Sequence, residues 1–230
     1  MKPRRLKADL HAHAADDPHD TLKYSSEMLI DAAALAGMDV LAITLHESYF
    51  HVARLADYAH ERGILLIPGL EQMVEGKHVV ILNPDGEQAR CTTFAGLRAL
   101  GKRGAALIAP HPFFPGGVCL GKKLIEHIDL FDAIEYCTMY CSGMNFNRKA
   151  VRVARQFGKP LVGTSDSHSL PYWGATCTWI ESEPTVAGVI DAVRCGRVEL
   201  ETRPRTHVQA LKFGAQVAYD VLRDAMAGTS

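Results

Sequence analysis

Apolar runs of strand length alternate with amphipathic segments of helix length from end to end, and this alternation restricts the fold most. Runs rich in Leu, Ile and Val, too short for helices, read as buried parallel strands. They are Leu6–Leu10, Val40–Leu45, Ile64–Leu70, His78–Leu82, Ala105–Pro110, Ala133–Tyr136, Pro160–Thr164 and, less distinctly, Cys177–Ile180. Between them lie segments with helix signals. Ser25 or Ser26 can cap a helix ending at Gly37, and Gly63 follows His51–Arg62. Thr92–Lys102 precedes Gly104, Asn145–Phe157 precedes Gly158 and Pro160, and Glu183–Cys195 precedes Gly196. A last helical pattern runs from about 208 to 226. The order predicts one α/β domain over residues 1–230, with a mostly parallel sheet and a C-terminal helix packed on it.

Composition narrows the class further. A chain of 230 residues, 47% hydrophobic, can bury a core without disulfides. The cysteines, Cys91, Cys119, Cys137, Cys141, Cys177 and Cys195, form no CxxC and read as small buried hydrophobes. A net charge of −1 counts against long nucleic-acid substrates. No apolar run reaches membrane-span length, and no apolar stretch follows the basic N-terminus. These features favour a soluble cytoplasmic protein.

The chain carries 11 histidines, and several fall, with carboxylates, at the ends of the apolar runs. Leu6–Leu10 leads into His11 and His13, Val40–Leu45 ends before His46, and Ile64–Leu70 before Glu71. Ala105–Pro110 ends before His111, and Pro160–Thr164 leads into Asp166 and His168. In α/β barrels and open sheets the chemistry sits at the C-terminal ends of the strands. One such histidine would mean little; the set points to a site. His-x-His along a strand places both rings on one face, and Asp166-x-His168 repeats the spacing. Imidazole with carboxylate suits Zn, Mn or Fe, and a carboxylate such as Glu71 can bridge two cations.

The ordered motifs Asp9-Leu10-His11-Ala12-His13, Pro68-Gly69-Leu70-Glu71, Pro110-His111-Pro112 and Gly163-Thr164-Ser165-Asp166-Ser167-His168 resemble those of the PHP (polymerase and histidinol phosphatase) superfamily. The resemblance spans nearly the whole chain. It implies a distorted (β/α)7, TIM-like barrel and a bi- or trinuclear centre of divalent cations at its C-terminal face. By position, it implies one cation on His11, His13, Glu71 and Asp166, and a second on Glu71, His78 and His111. A third would sit on His46, His168 and a residue of Asp17-Pro18-His19-Asp20, with Asp17 favoured over His19 and Asp20. His78 opens its run and is chosen on the resemblance alone. The implied activity is hydrolysis of a small phosphorylated metabolite or nucleotide through a metal-bridging hydroxide, with Asp166 or His168 assisting the leaving oxygen. The alternatives are an amidohydrolase-like C–N or ester hydrolase and a non-catalytic metal- or ligand-binding module.

Departures from the pattern carry expectations too. Leu45 stands where the family usually has Asp, which should reorient His46 or retune the third site. His46 and His51 are spaced one residue too far apart for HExxH, and Gly116-x4-Gly121-Lys122-Lys123 lacks the Ser or Thr of a P-loop. Lys122 or Lys123 could still meet an anionic substrate, Arg148 could bind phosphate, and Tyr172 and Trp173 could wall a pocket. Asp9 and Glu135 are read as supports for ligating histidines, whereas His51, His60, His127 and His207 read as surface or packing residues.

Overall fold

A computed structural model describes residues 2–170 and 175–211. Among the described residues nine strands form one sheet in the order β7-β6-β5-β4-β3-β2-β1-β8-β9. They are β1 (Arg4–Ala12), β2 (Val40–Ile43), β3 (Leu65–Val74), β4 (Lys77–Leu82), β5 (Ala106–Ala109), β6 (Ala133–Cys137), β7 (Leu161–Thr164), β8 (Thr176–Ser182) and β9 (Val198–Thr202). The helices are α1 (Ser26–Leu35), α2 (Ala56–His60), α3 (Phe94–Leu100), α4 (Lys123–Glu126), α5 (Asn147–Phe157) and α6 (Val186–Arg194). Each expected strand run finds its strand, and β9 is an addition that its exposed, charged sequence Val-Glu-Leu-Glu-Thr concealed. Capping follows the sequence. Ser25 accepts from the Met28 amide at the start of α1, and Gly158 ends α5 at φ 63°.

The sheet is less parallel than the sequence suggested. β1–β2, β2–β3, β5–β6 and β6–β7 pair in parallel, while β3–β4, β4–β5, β1–β8 and β8–β9 are antiparallel. The reason is local. Glu75 and Gly76, both at positive φ, turn β3 straight back into β4, with no room for a helix. An apolar run buried on both faces reads alike in either direction, so the run itself does not give the pairing.

The sheet curls into a nearly closed barrel. Past the end of β7, Ser167 bridges to Ala12 of β1 in parallel. The Thr178 hydroxyl on β8 donates to the Gly163 carbonyl on β7 at 2.9 Å. A Cβ at Gly163 would lie 2.5 Å from the Cys177 carbonyl oxygen and from Leu200 Cδ1, so the seam closes only over a glycine. The interior is filled by Leu6, Leu10, Val40, Ile67, Val80, Ile108, Val162 and Ile180, joined by Val189, Ile190 and Val193 of α6. That helix touches β3, β5 and β8, strands far apart in the sheet order. Two outer layers pack α1 and α2 over β1–β3, and α3 and α5 over the β3–β6 side.

The expected terminal helix begins at His207, and its stretch from 212 to 226 lies outside the described residues, as do Tyr172 and Trp173. Among the described residues no helix is long and apolar enough to cross a membrane. All six cysteines are free, with Cys119, Cys137, Cys141 and Cys177 buried.

Candidate metal centre

The strand ends deliver their polar residues to one place. His11 is in β1 and His13 just beyond it, and their Nε2 atoms lie 3.1 Å apart. The end of β1 is gripped on both sides. The Thr44 amide donates to the Ala12 carbonyl and the Asp166 amide to the His11 carbonyl, each at 2.9 Å. These bonds bring the segments after β2 and β7 against the two histidines. His46 follows β2 and bridges to Glu71 on β3. In the β3–β4 hairpin Met73 faces His78 and Glu71 faces Val80, so Glu71 and His78 are diagonal neighbours on one face.

Glu71 is 1% exposed and its two oxygens divide the histidines between them. Oε1 lies 2.9 Å from His78 Nδ1 and 3.1 Å from His111 Nε2. Oε2 lies 3.3 Å from His11 Nε2, 3.4 Å from His13 Nε2 and 3.1 Å from His46 Nε2. Asp166 Oδ1 closes the set at 3.5 Å from the Nε2 atoms of both His11 and His13. His11, His13, Glu71 and Asp166 thus offer four ligand atoms within 4.8 Å of one another, as do His13, Asp20, His46 and His168. His111 and Asp166 hold positive φ values of 27° and 45°. Such backbone costs a non-glycine residue of order 1–3 kcal/mol, and strain of this kind collects at functional sites.

The sequence-predicted residues are all brought together except one, which takes another place. Asp17, the favoured first-loop ligand, places Oδ2 3.0 Å from both His13 Nδ1 and His46 Nδ1 and accepts from the His46 amide. It braces those rings from behind. Asp20 instead enters the group with His13, His46 and His168, its Oδ2 3.0 Å from His168 Nε2. His19 stays at the surface near Glu47. Leu45 is 3% exposed and packs in the apolar layer around α1, so bracing of His46 falls to Asp17.

Glu135, fully buried, accepts from His11 Nδ1 at 2.7 Å and from the His111 amide at 3.1 Å. Asp9 supports the site through the backbone. It accepts the backbone amides of His11 and Ser165. Cys119, not singled out from the sequence, places Sγ 3.4 Å from His111 Nδ1. Lys122, Lys123 and Arg148 do not line the cavity over the site. Lys123 pairs with Glu126, and Arg148 is exposed.

The electrostatics fit a cation site. Burial works against charge on His13, yet hydrogen bonds to Asp166, Asp17 and Glu71 hold its pKa up at about 9. Burial also opposes charge on the half-buried His46, yet Asp17, Asp20 and Glu71 push it up to about 12. Burial opposes the charged forms of Glu71 and Asp166 as well, but the charge of His11 and hydrogen bonds from the other rings hold both well below the usual carboxylate range. Protons on imidazoles and divalent cations are alternative ways to neutralise this buried carboxylate cluster. The donor set agrees. Clusters of imidazole and carboxylate in this geometry suit divalent metals.

The comparisons point the same way. Residues 145–198 match the family model described as PHP-associated. No curated protein sequence matches the chain. A two-domain Bacteroides vulgatus protein containing a predicted PHP-like metal-dependent phosphoesterase superposes with a TM-score of 0.69 at 18% identity, covering 87% of this chain. This chain spans 66% of that protein's length. PsfC from Pseudomonas syringae gives a TM-score of 0.65 at 19% identity, covering 96% of this chain and 98% of that one. The lesion-specific endonuclease PfuEndoQ from Pyrococcus furiosus gives 0.58 at 15% identity, covering 86% of this chain and 58% of that one. The fold is thus shared with a PHP-like barrel, and residues 145–198 add a match to a PHP-associated family.

Proposed function

We propose that the chain is a metal-dependent phosphoesterase acting on a small phosphorylated metabolite or nucleotide. The observation that carries this reading is Glu71, whose oxygens face two separate groups of histidines, so that one carboxylate spans two adjacent cation positions. His11, His13, Glu71 and Asp166 would hold one cation; Glu71, His78 and His111 a second; and His46, His168 and Asp20 a third. Bound Zn, Mn or Fe would activate water and offset the charge that grows on phosphoryl oxygens.

The chain's own groups orient this site and handle protons around it. Glu135 and Asp17 fix the rings of His11, His13 and His46 from behind. Asp166, held deprotonated by the surrounding histidines, is a poor proton donor. His168 is better placed to protonate a leaving oxygen, because its side chain is 35% exposed and lines the cavity. With two cations bound, the His168–Asp20 pair would be free for that role, whereas a third would be held by both. Arg205, 8% exposed, lines the same cavity and adds positive charge for an anionic ligand.

The test is Glu71→Gln in the full chain, loaded with metal. Turnover of small phosphate monoesters should fall to background while far-ultraviolet circular dichroism stays that of the parent. Retained turnover in the folded variant refutes the bridged mechanism. Amides and lactones run beside the phosphate esters separate this reading from C–N or carboxyl-ester hydrolysis.

A further inference from the structure

The cavity above the metal centre is two-sided. It holds about 450 Å³, with His46, Glu71, His78, His111, Asp166 and His168 at one end. The rest of the lining is largely apolar and includes Phe114, Val118, Met139, Met144 and Phe146. Phe114 and Val118 come from the loop after β5, and the others from the loop after β6. The Phe114 and Phe146 ring centroids are 5.3 Å apart, with planes tilted by 55°.

Backbone hydrogen bonds hold this wall in shape. Cys141 and Met144 exchange backbone hydrogen bonds of 3.1 and 3.2 Å across a tight turn, where Gly143 takes φ 92°. The Arg205 amide donates to the Tyr140 carbonyl at 2.9 Å, which ties the segment after β9 onto that turn. Yet Val118, Met144 and Phe146 are 37%, 55% and 37% exposed. They are exposed large hydrophobic residues gathered on one cavity wall, and a patch of that kind beside a polar centre marks a binding surface. A sugar or polyol would leave its hydroxyls without partners against this wall, whereas a flat apolar group would cover it. The methionines add a surface that adapts to ring shape.

We propose that this wall selects the organic part of the substrate, and that the site takes monoesters carrying a flat apolar group of aryl size. The ester's anionic end lies at Glu71, and its ring lies among Phe114, Val118, Met144 and Phe146. This inference rests on the phosphoesterase reading above and deepens it.

The test is calorimetric binding of phenylphosphonate and methylphosphonate to the metal-loaded full chain, with kcat/KM for phenyl phosphate and glycerol phosphate beside it. Phenylphosphonate should bind tighter by roughly tenfold or more, the scale of burying one ring face. The exposed-site double variant Met144→Ser, Phe146→Ser should bring the affinity ratio close to one. Leu35→Ser, on the outer face of α1, should leave the ratio as in the parent. Equal binding of the two phosphonates, with glycerol phosphate turned over well, overturns the wall's role and leaves the phosphoesterase reading standing. A phenyl preference that survives the double variant also overturns it. If neither phosphonate binds and no phosphate ester is turned over at full metal load, both readings fall together.

Discussion

Replacing Glu135 by Gln tests whether the metal centre is set up from behind. Glu135 is fully buried, and its two oxygens serve two donors: His11 Nδ1 at 2.7 Å and the His111 amide at 3.1 Å. A Gln keeps the shape but has a single acceptor oxygen, so its NH2 group must face one of those N–H groups. A buried donor left unmet costs about 1–3 kcal/mol. At 1.4 kcal/mol per factor of ten, the cation held by His11 should bind roughly 10–100-fold more weakly, in line with other losses of ligand-orienting groups. An opposing effect must be subtracted. Glu135 also helps to raise the His11 pKa, so its loss eases the removal of the proton that a cation must displace. That relief matters only where His11 carries the proton. The deficit should therefore be larger at the higher of two pH values than at the lower. Competition against a chromophoric chelator at both pH values measures it, with circular dichroism to establish the fold. An affinity within about twofold of the parent at the higher pH, in a folded variant, would refute the positioning argument.

Further outcomes follow from the same geometry. Because the His13 pKa stands at about 9, above its unfolded value, the stability this residue contributes is full below about pH 6.5 and is lost as pH rises through about 9; the apoprotein's Tm should fall over that window, and a flat profile counts against the assigned contacts. Asp20→Asn should lose a cation per chain by elemental analysis, whereas Asp17→Asn should weaken binding at unchanged stoichiometry; the reverse pattern restores Asp17 as the ligand. Gly163→Ala should destabilise the fold by about 1–3 kcal/mol in denaturant titration, since the new methyl meets the Cys177 carbonyl at 2.5 Å; parent-like stability would mean that the seam opens freely.

The alternation of apolar runs with amphipathic segments was enough to place β1 through β8 and the capped helices, because strand and helix periodicities are local properties of the chain. The candidate ligand types were equally legible. His11, His13, His46, Glu71, His111, Asp166 and His168 sit at or just past apolar runs, and imidazole with carboxylate names its own chemistry. Three things were decided only by tertiary structure. The β3–β4 hairpin runs antiparallel, which is why His78 reaches the site from the start of its strand: an antiparallel strand begins where its parallel neighbours end. The choice between Asp17 and Asp20 rests on which carboxylate points inward and which reaches the backs of His13 and His46, and four consecutive loop residues carry no period that could reveal it. The apolar wall exists because loops after β5 and β6, remote in sequence, meet above Glu71. Local patterns specify elements and donor atoms, whereas the direction of a strand and the meeting of distant loops depend on closing the barrel.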